Sequence, residues 1–82
     1  MIEITIVGSG CLNCRRLEAL CREIVEENNI LASISKVTDW RQFTALGIML
    51  TPGLLINGNV VSSGKIPVKA TLTHWILNAA KS

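Results

Sequence analysis

With 82 residues the chain can build one compact core and no second one, so residues 1–82 read as a single domain. Mean hydropathy is +0.42, yet no apolar run reaches the ~20 residues that a membrane span needs, and the net charge of +2 is too small for a nucleic-acid footprint. Residue 2 already starts a strand-like pattern, which leaves no room for a secretory leader; no membrane span, no nucleic-acid partner and a cytoplasmic, monomeric protein are expected.

In chain order, Ile2, Ile4 and Ile6 alternate with Glu3 and Thr5 before Val7, the period of a strand with one buried face. From Cys11 to Asn28 the apolar positions Cys14, Leu17, Cys21, Ile24 and Val25 recur at helical spacing, and Asn28-Asn29 supplies a C-terminal stop. Charges alternate on the other side of this helix, with Glu18 and Arg22 in the favourable i,i+4 order, so Arg15 and Arg16 read as part of a solvated face. "ILASISKV", Ile30 to Val37, is rich in β-branched residues and reads as a second strand, parallel to the first because a helix joins them.

Thr38-Asp39 offers an N-cap, Gln42 completes a capping box, and Trp40, Phe43 and Leu46 form one face of a short helix that Gly47 closes. "GLLINGNVV" places two apolar runs around Asn57-Gly58, a tight hairpin. Pro67 suits the first position of a last helix with Val68, Leu72, Ile76 and Ala79 as its inward stripe and Trp75 at its edge. The expected order is βαβαββα.

Chemistry concentrates in "GSGCLNC", Gly8 to Cys14, between the first strand and the first helix. Gly8-x-Gly10 is two-thirds of a dinucleotide fingerprint, but Asn13 stands where the third glycine belongs and the chain is too short for such a domain. The glycines instead let the strand turn into the helix. A cysteine at a helix N-terminus faces unpaired N–H groups and the positive end of the macrodipole, which favours a thiolate at Cys11. Cys14 lies about one turn on, roughly 4.5 Å along the axis, within disulfide reach, and its place on the apolar stripe makes it the protected partner. Cys21 lies roughly 10 Å beyond Cys14 along the axis, outside disulfide reach, and reads as a small core hydrophobe. Three cysteines do not make a secreted disulfide framework, and a close pair in a reducing compartment points to redox or metal chemistry.

This CxxC at the start of the first helix, the βαβαββα order and "LTPGLLING", with Thr51-Pro52 before the third strand, together resemble the thioredoxin fold, in particular the small glutaredoxin-sized proteins of archaea and bacteria. The resemblance implies an α/β thioredoxin fold whose four-stranded mixed sheet is flanked by three helices, and a cis bond before Pro52. It implies a thiol-disulfide oxidoreductase acting on protein disulfides, with Cys11 as nucleophile, Cys14 as resolving thiol, and Leu12, Asn13, Thr51 and Pro52 contacting the substrate. Leu12, Met49, Leu50 and Ile66 would form an apolar collar. No cofactor beyond a Cys11–Cys14 disulfide is implied, and a flavoprotein reductase is the implied electron donor. The chain departs from the family at Leu12-Asn13 between the cysteines, and at Thr5, where thioredoxins often bury an acid. Ser62-Ser63-Gly64-Lys65 replaces the glutathione-holding turn of glutaredoxins, so glutathione is not an expected substrate.

Two other readings compete. A thiolate pair also suits Cu(I) or Zn²⁺ in a metal-delivery module, although one pair supplies only two of the four ligands of a closed zinc site and the sole histidine, His74, falls on the last helix off its apolar stripe. A redox-silent interaction domain would have no use for an intact cysteine pair followed by Thr51-Pro52.

Overall fold

Strand β1, Ile2–Val7, is the centre of the structure, and its alternation decides which side the helices cover. The computed structural model describes residues 1–9 and 12–81; Gly10, Cys11 and Ser82 lie outside the described residues. After β1 come α1 (Leu12–Glu27), β2 (Ala32–Val37), a single 3-10 turn (Trp40–Gln42), β3 (Gly53–Ile56), β4 (Asn59–Ser63) and α2 (Lys69–Lys81). The sheet order is β2-β1-β3-β4, with β1 and β2 parallel and the other two pairings antiparallel.

Ile2, Ile4 and Ile6 point to one face, where Leu17, Cys21 and Ile24 of α1 and Leu72 and Ile76 of α2 cover them together with Leu54 and Ile56 of β3. Each such side chain contributes about 1.5–3 kcal/mol on burial. Val7 and Leu55 belong to a second, smaller cluster with Ile48, bordered by Val37, Phe43 and Leu46. All four residues of β3 are buried because the strand is covered at this point on both faces.

Helix α1 ends where Asn28-Asn29 was expected to stop it. Asn29 takes φ +52°, the Ile30 amide donates to the Val25 carbonyl at 3.0 Å and the Asn29 amide to Glu26, which together make a Schellman closure. This closure consumes Ile30, so β2 starts at Ala32 and not at Ile30. The β3–β4 turn is the expected two-residue hairpin. Asn57 and Gly58 both have positive φ, 52° and 83°, as a type I′ turn requires, and the Asn57 side chain accepts from the Glu3 amide at 2.9 Å, tying the turn to β1.

The expected third helix does not form: residues 39–47 make only a 3-10 turn, and the described residues hold two α-helices. Between Asp39 and Gly47 most hydrogen bonds span three residues: Gln42 to Asp39, Phe43 to Trp40, and Gly47 to Thr44. Asp39 does cap the turn, but through the Arg41 amide at 3.0 Å, and nothing shows the capping box with Gln42. Nine residues are too few to repay helix nucleation by propagation, and the anticipated apolar face is incomplete: Phe43 and Leu46 pack on the second cluster while Trp40 is 74% exposed. Gly47, at φ +83°, closes the segment with a second Schellman-like pattern, its neighbour Ile48 donating to Phe43 at 2.9 Å. The last helix also begins later than Pro67. Its first helical hydrogen bond runs from Leu72 to Val68, so Val68 is at the cap and exposed, and the inward stripe is Leu72, Ile76 and half-buried Ala79.

Cys21 is fully buried in the main core, as a packing residue should be. Burial first, and the Glu18 carboxylate second, push its thiol up to about 12. A thiol that stays protonated in the native state but ionises near pH 8.5–9 when unfolded stabilises the fold fully at neutral pH, and loses that contribution as pH rises from there toward 12. We expect the unfolding free energy to drop by up to about 1.4 kcal/mol per pH unit in this window. In Cys21→Ala, urea melts at a series of alkaline pH values should show a flatter profile.

Candidate active site

The C-terminal end of β1 and the N-terminal end of β3 lie side by side, because Val7 pairs with Gly53. The next residue on β1 is Gly8 and the preceding residue on β3 is Pro52, so this pairing brings the strand-to-helix turn against the Thr51-Pro52 dipeptide. The Thr51–Pro52 peptide bond is cis. Gly8 continues the β1–β2 ladder by one bond, its amide donating to Val37 at 2.9 Å.

Cys14, in the first turns of α1, is buried and lies directly over Gly8. A Cβ at Gly8 would run into the Cys14 Sγ, and would lie 3.4 Å from the Cys14 Cβ and 3.9 Å from the Thr51 Cβ. The glycine therefore provides the space for the thiol, beyond the backbone freedom expected of it, and Cys14, Gly8 and Thr51 meet at one point. Of the residues singled out in the sequence, Cys14, Thr51 and Pro52 are brought together; Leu12 and Asn13 are exposed on the turn of α1 just before Cys14. Cys11 lies outside the described residues.

The segment before β3 is held from the β4 side. Gly64 donates its amide to the Pro52 carbonyl at 3.0 Å, and the Ser63 hydroxyl donates to the Leu50 carbonyl at 3.1 Å. Gly64 has φ +83° and a Cβ there would meet the Leu50 Cβ at 2.9 Å, so the β4–α2 loop fits closely against this segment. Leu12 is 62%, Met49 88% and Leu50 65% exposed, which leaves three large apolar side chains uncovered on the loops that carry the site. Ile66, expected beside them, is half-buried against the main core and belongs to the packing instead.

A cleft of about 140 Å³ adjoins Cys14, lined by Ile6, Gly8, Arg15, Glu18, Lys36 and Thr38. Glu18 bonds Arg22 at 2.9 Å and Lys36 at 3.4 Å. The Arg22 hydrogen bond, reinforced by Lys36, holds its carboxyl below the usual range despite some desolvation. Helical spacing in the sequence pairs Glu18 with Arg22 alone. The signal for the cleft was present, since Glu18 follows Cys14 by one helical turn, but Lys36 could be added only through the parallel register that sets it opposite Ile6. The described residues hold no group of three or more His, Cys, Asp or Glu placed to bind a metal ion, and among them no helix is long and apolar enough to cross a membrane.

Comparison with known proteins agrees with this arrangement. The family model described as "Thioredoxin domain" matches residues 2–77. A thioredoxin of Methanothermobacter thermautotrophicus is 36% identical over 69 residues, covering 84% of this chain and 90% of the relative. A thioredoxin of Methanocaldococcus jannaschii is 39% identical over 67 residues, covering 82% and 77%. The solution structure of oxidised thioredoxin from Plasmodium falciparum shares the fold at 18% identity, with a TM-score of 0.67 over 96% of this chain and 81% of that one. With the family model spanning nearly its whole length and two archaeal relatives above one-third identity, the chain belongs to the thioredoxin family of thiol-disulfide oxidoreductases.

Proposed function

We propose that this chain reduces disulfides in partner proteins through Cys11 and Cys14. The Cys11 thiolate attacks a substrate disulfide, forming a mixed disulfide and expelling the first substrate thiolate. Cys14, once deprotonated, attacks the Cys11 sulfur and expels the second. The substrate gains two electrons, the chain is left with a Cys11–Cys14 disulfide, and an external dithiol or flavoprotein reductase returns the pair to the thiol state. No prosthetic group takes part.

The observation that carries this reading is the meeting of Cys14, Gly8 and the Thr51–Pro52 dipeptide at one end of the sheet. It supports Thr51 and Pro52 as one wall of a substrate groove, in which an extended segment hydrogen-bonds the Thr51 backbone as an added strand, with Leu12 and Asn13 as the other wall. Placing Cys14 under cover leaves the first attack to the thiol at the helix start, and thiolate attack there needs only the helix N-terminus to favour the charge.

Equilibrating the chain across a series of dithiol/disulfide buffers, alkylating it and weighing it tests the proposal. A single two-electron transition confined to the peptide that carries Cys11 and Cys14, with Cys21 unmodified until the chain is unfolded, is expected. A pair that stays reduced at the oxidising end of the series would overturn it.

A further inference from the structure

The charges are sorted along the molecule. The acidic side chains nearest Cys14 in these elements are paired: Glu18 with Arg22 and Lys36, and Asp39 with Arg41 at 3.0 Å. Arg15, Arg16 and Lys65 form no ion pair among the described residues, and all three are exposed. Arg15 and Arg16 follow Cys14 directly on α1, and Lys65 follows Gly64, whose backbone packs on Leu50 and Pro52. The acids with no ion pair among the described residues, Glu3 and Glu26, are at the start of β1 and near the end of α1, the opposite end of both elements.

Helix stability does not account for the two arginines. The first turn of α1 has no acidic residue, and cations there oppose the helix macrodipole. Their charge faces solvent, and the exposed Leu12, Met49 and Leu50 lie on the same end. We infer that the site takes disulfides set in an acidic protein segment, with an apolar residue of the partner on Leu12, Met49 and Leu50 and its carboxylates facing Arg15, Arg16 and Lys65. This rests on the oxidoreductase reading and names its substrate class. Opposite charge across such a surface raises the encounter rate and falls away with salt.

Two disulfide peptides test it, identical in the leucine beside the cystine but flanked by aspartates in one and lysines in the other. The fully reduced chain is mixed with each, and the second-order rate of peptide reduction is measured at low and at high ionic strength; each event oxidises Cys11 and Cys14 and releases two peptide thiols. The acidic peptide should react about tenfold or more faster at low salt, with most of that ratio lost at high salt. The triple change Arg15→Glu, Arg16→Glu, Lys65→Glu should invert the ratio, and Lys81→Glu should leave it as it is. Because both rates come from one thiol pair, their ratio cancels any change in intrinsic thiol reactivity. Equal rates, or a preference that ignores salt and the triple change, would overturn the acidic-partner inference and leave the oxidoreductase reading standing. Failure to reduce either peptide would overturn both.

Discussion

Cys14→Ser is expected to turn the chain into a trap. Incubated with disulfide-containing proteins it should accumulate covalent adducts through Cys11, visible as mass shifts that vanish on adding a strong dithiol, while Cys11→Ser forms none and loses turnover by at least about a thousandfold. The difference follows from the roles proposed for the two sulfurs. A serine at position 11 has no accessible anion at neutral pH, so the first bond to the substrate never forms. A serine at position 14 leaves that step intact and removes the second, and solution thiols are poor substitutes for an attacking sulfur three residues along the same chain, where proximity supplies effective concentrations far above millimolar. Cys14 is buried over Gly8 and next to Thr51, which suits the resolving role proposed for it. If Cys14→Ser turns over like the unmodified chain, or Cys11→Ser forms the adducts, the assignment of the two roles is wrong.

That outcome tests a site of which only part could be read in advance. The strands, the long first helix and the hairpin were legible because each has a strong local cause: period-2 alternation in β1, the 3.6 stripe through Leu17, Cys21 and Ile24, and Asn57-Gly58 at a turn that needs two positive φ values. The segment after β2 misled because its signals were real but local. Asp39 caps and Gly47 closes, yet the helix between them depended on Trp40 finding a partner, which is a tertiary fact, and Trp40 has none in the core. Val68 failed for a related reason, since a proline marks where a helix can begin and α2 starts two residues beyond it. At the site, Cys14, Thr51 and Pro52 were named from pattern and resemblance, whereas the cleft with Glu18 and Lys36 needs the β1–β2 register, and the close approach at Gly8 needs the third dimension entirely.

Gly8 accordingly carries the second large expectation. Its φ is not in the left-handed region, so alanine is compatible with the backbone there, and the only obstacle is the Cys14 thiol that a Cβ would strike. Cys14 is buried against the core and cannot simply turn outward, so the helix start must shift or the thiol adopt a poorer rotamer. Gly8→Ala should destabilise the reduced chain by about 1–3 kcal/mol, the usual range for an over-filled site, and should slow disulfide closure, because the sulfur displaced is the one proposed to attack Cys11. A double-mutant cycle separates this contact from a general defect. In a Cys14→Ala background the obstructing sulfur is gone and the remaining Cβ–Cβ approach is 3.4 Å, at the edge of ordinary contact, so most of the cost of Gly8→Ala should disappear and the coupling between the two positions should itself be about 1–3 kcal/mol. Urea unfolding of the four reduced proteins measures it. If Gly8→Ala costs the same in both backgrounds, Gly8 serves the strand-to-helix turn alone and the thiol is not what requires a glycine.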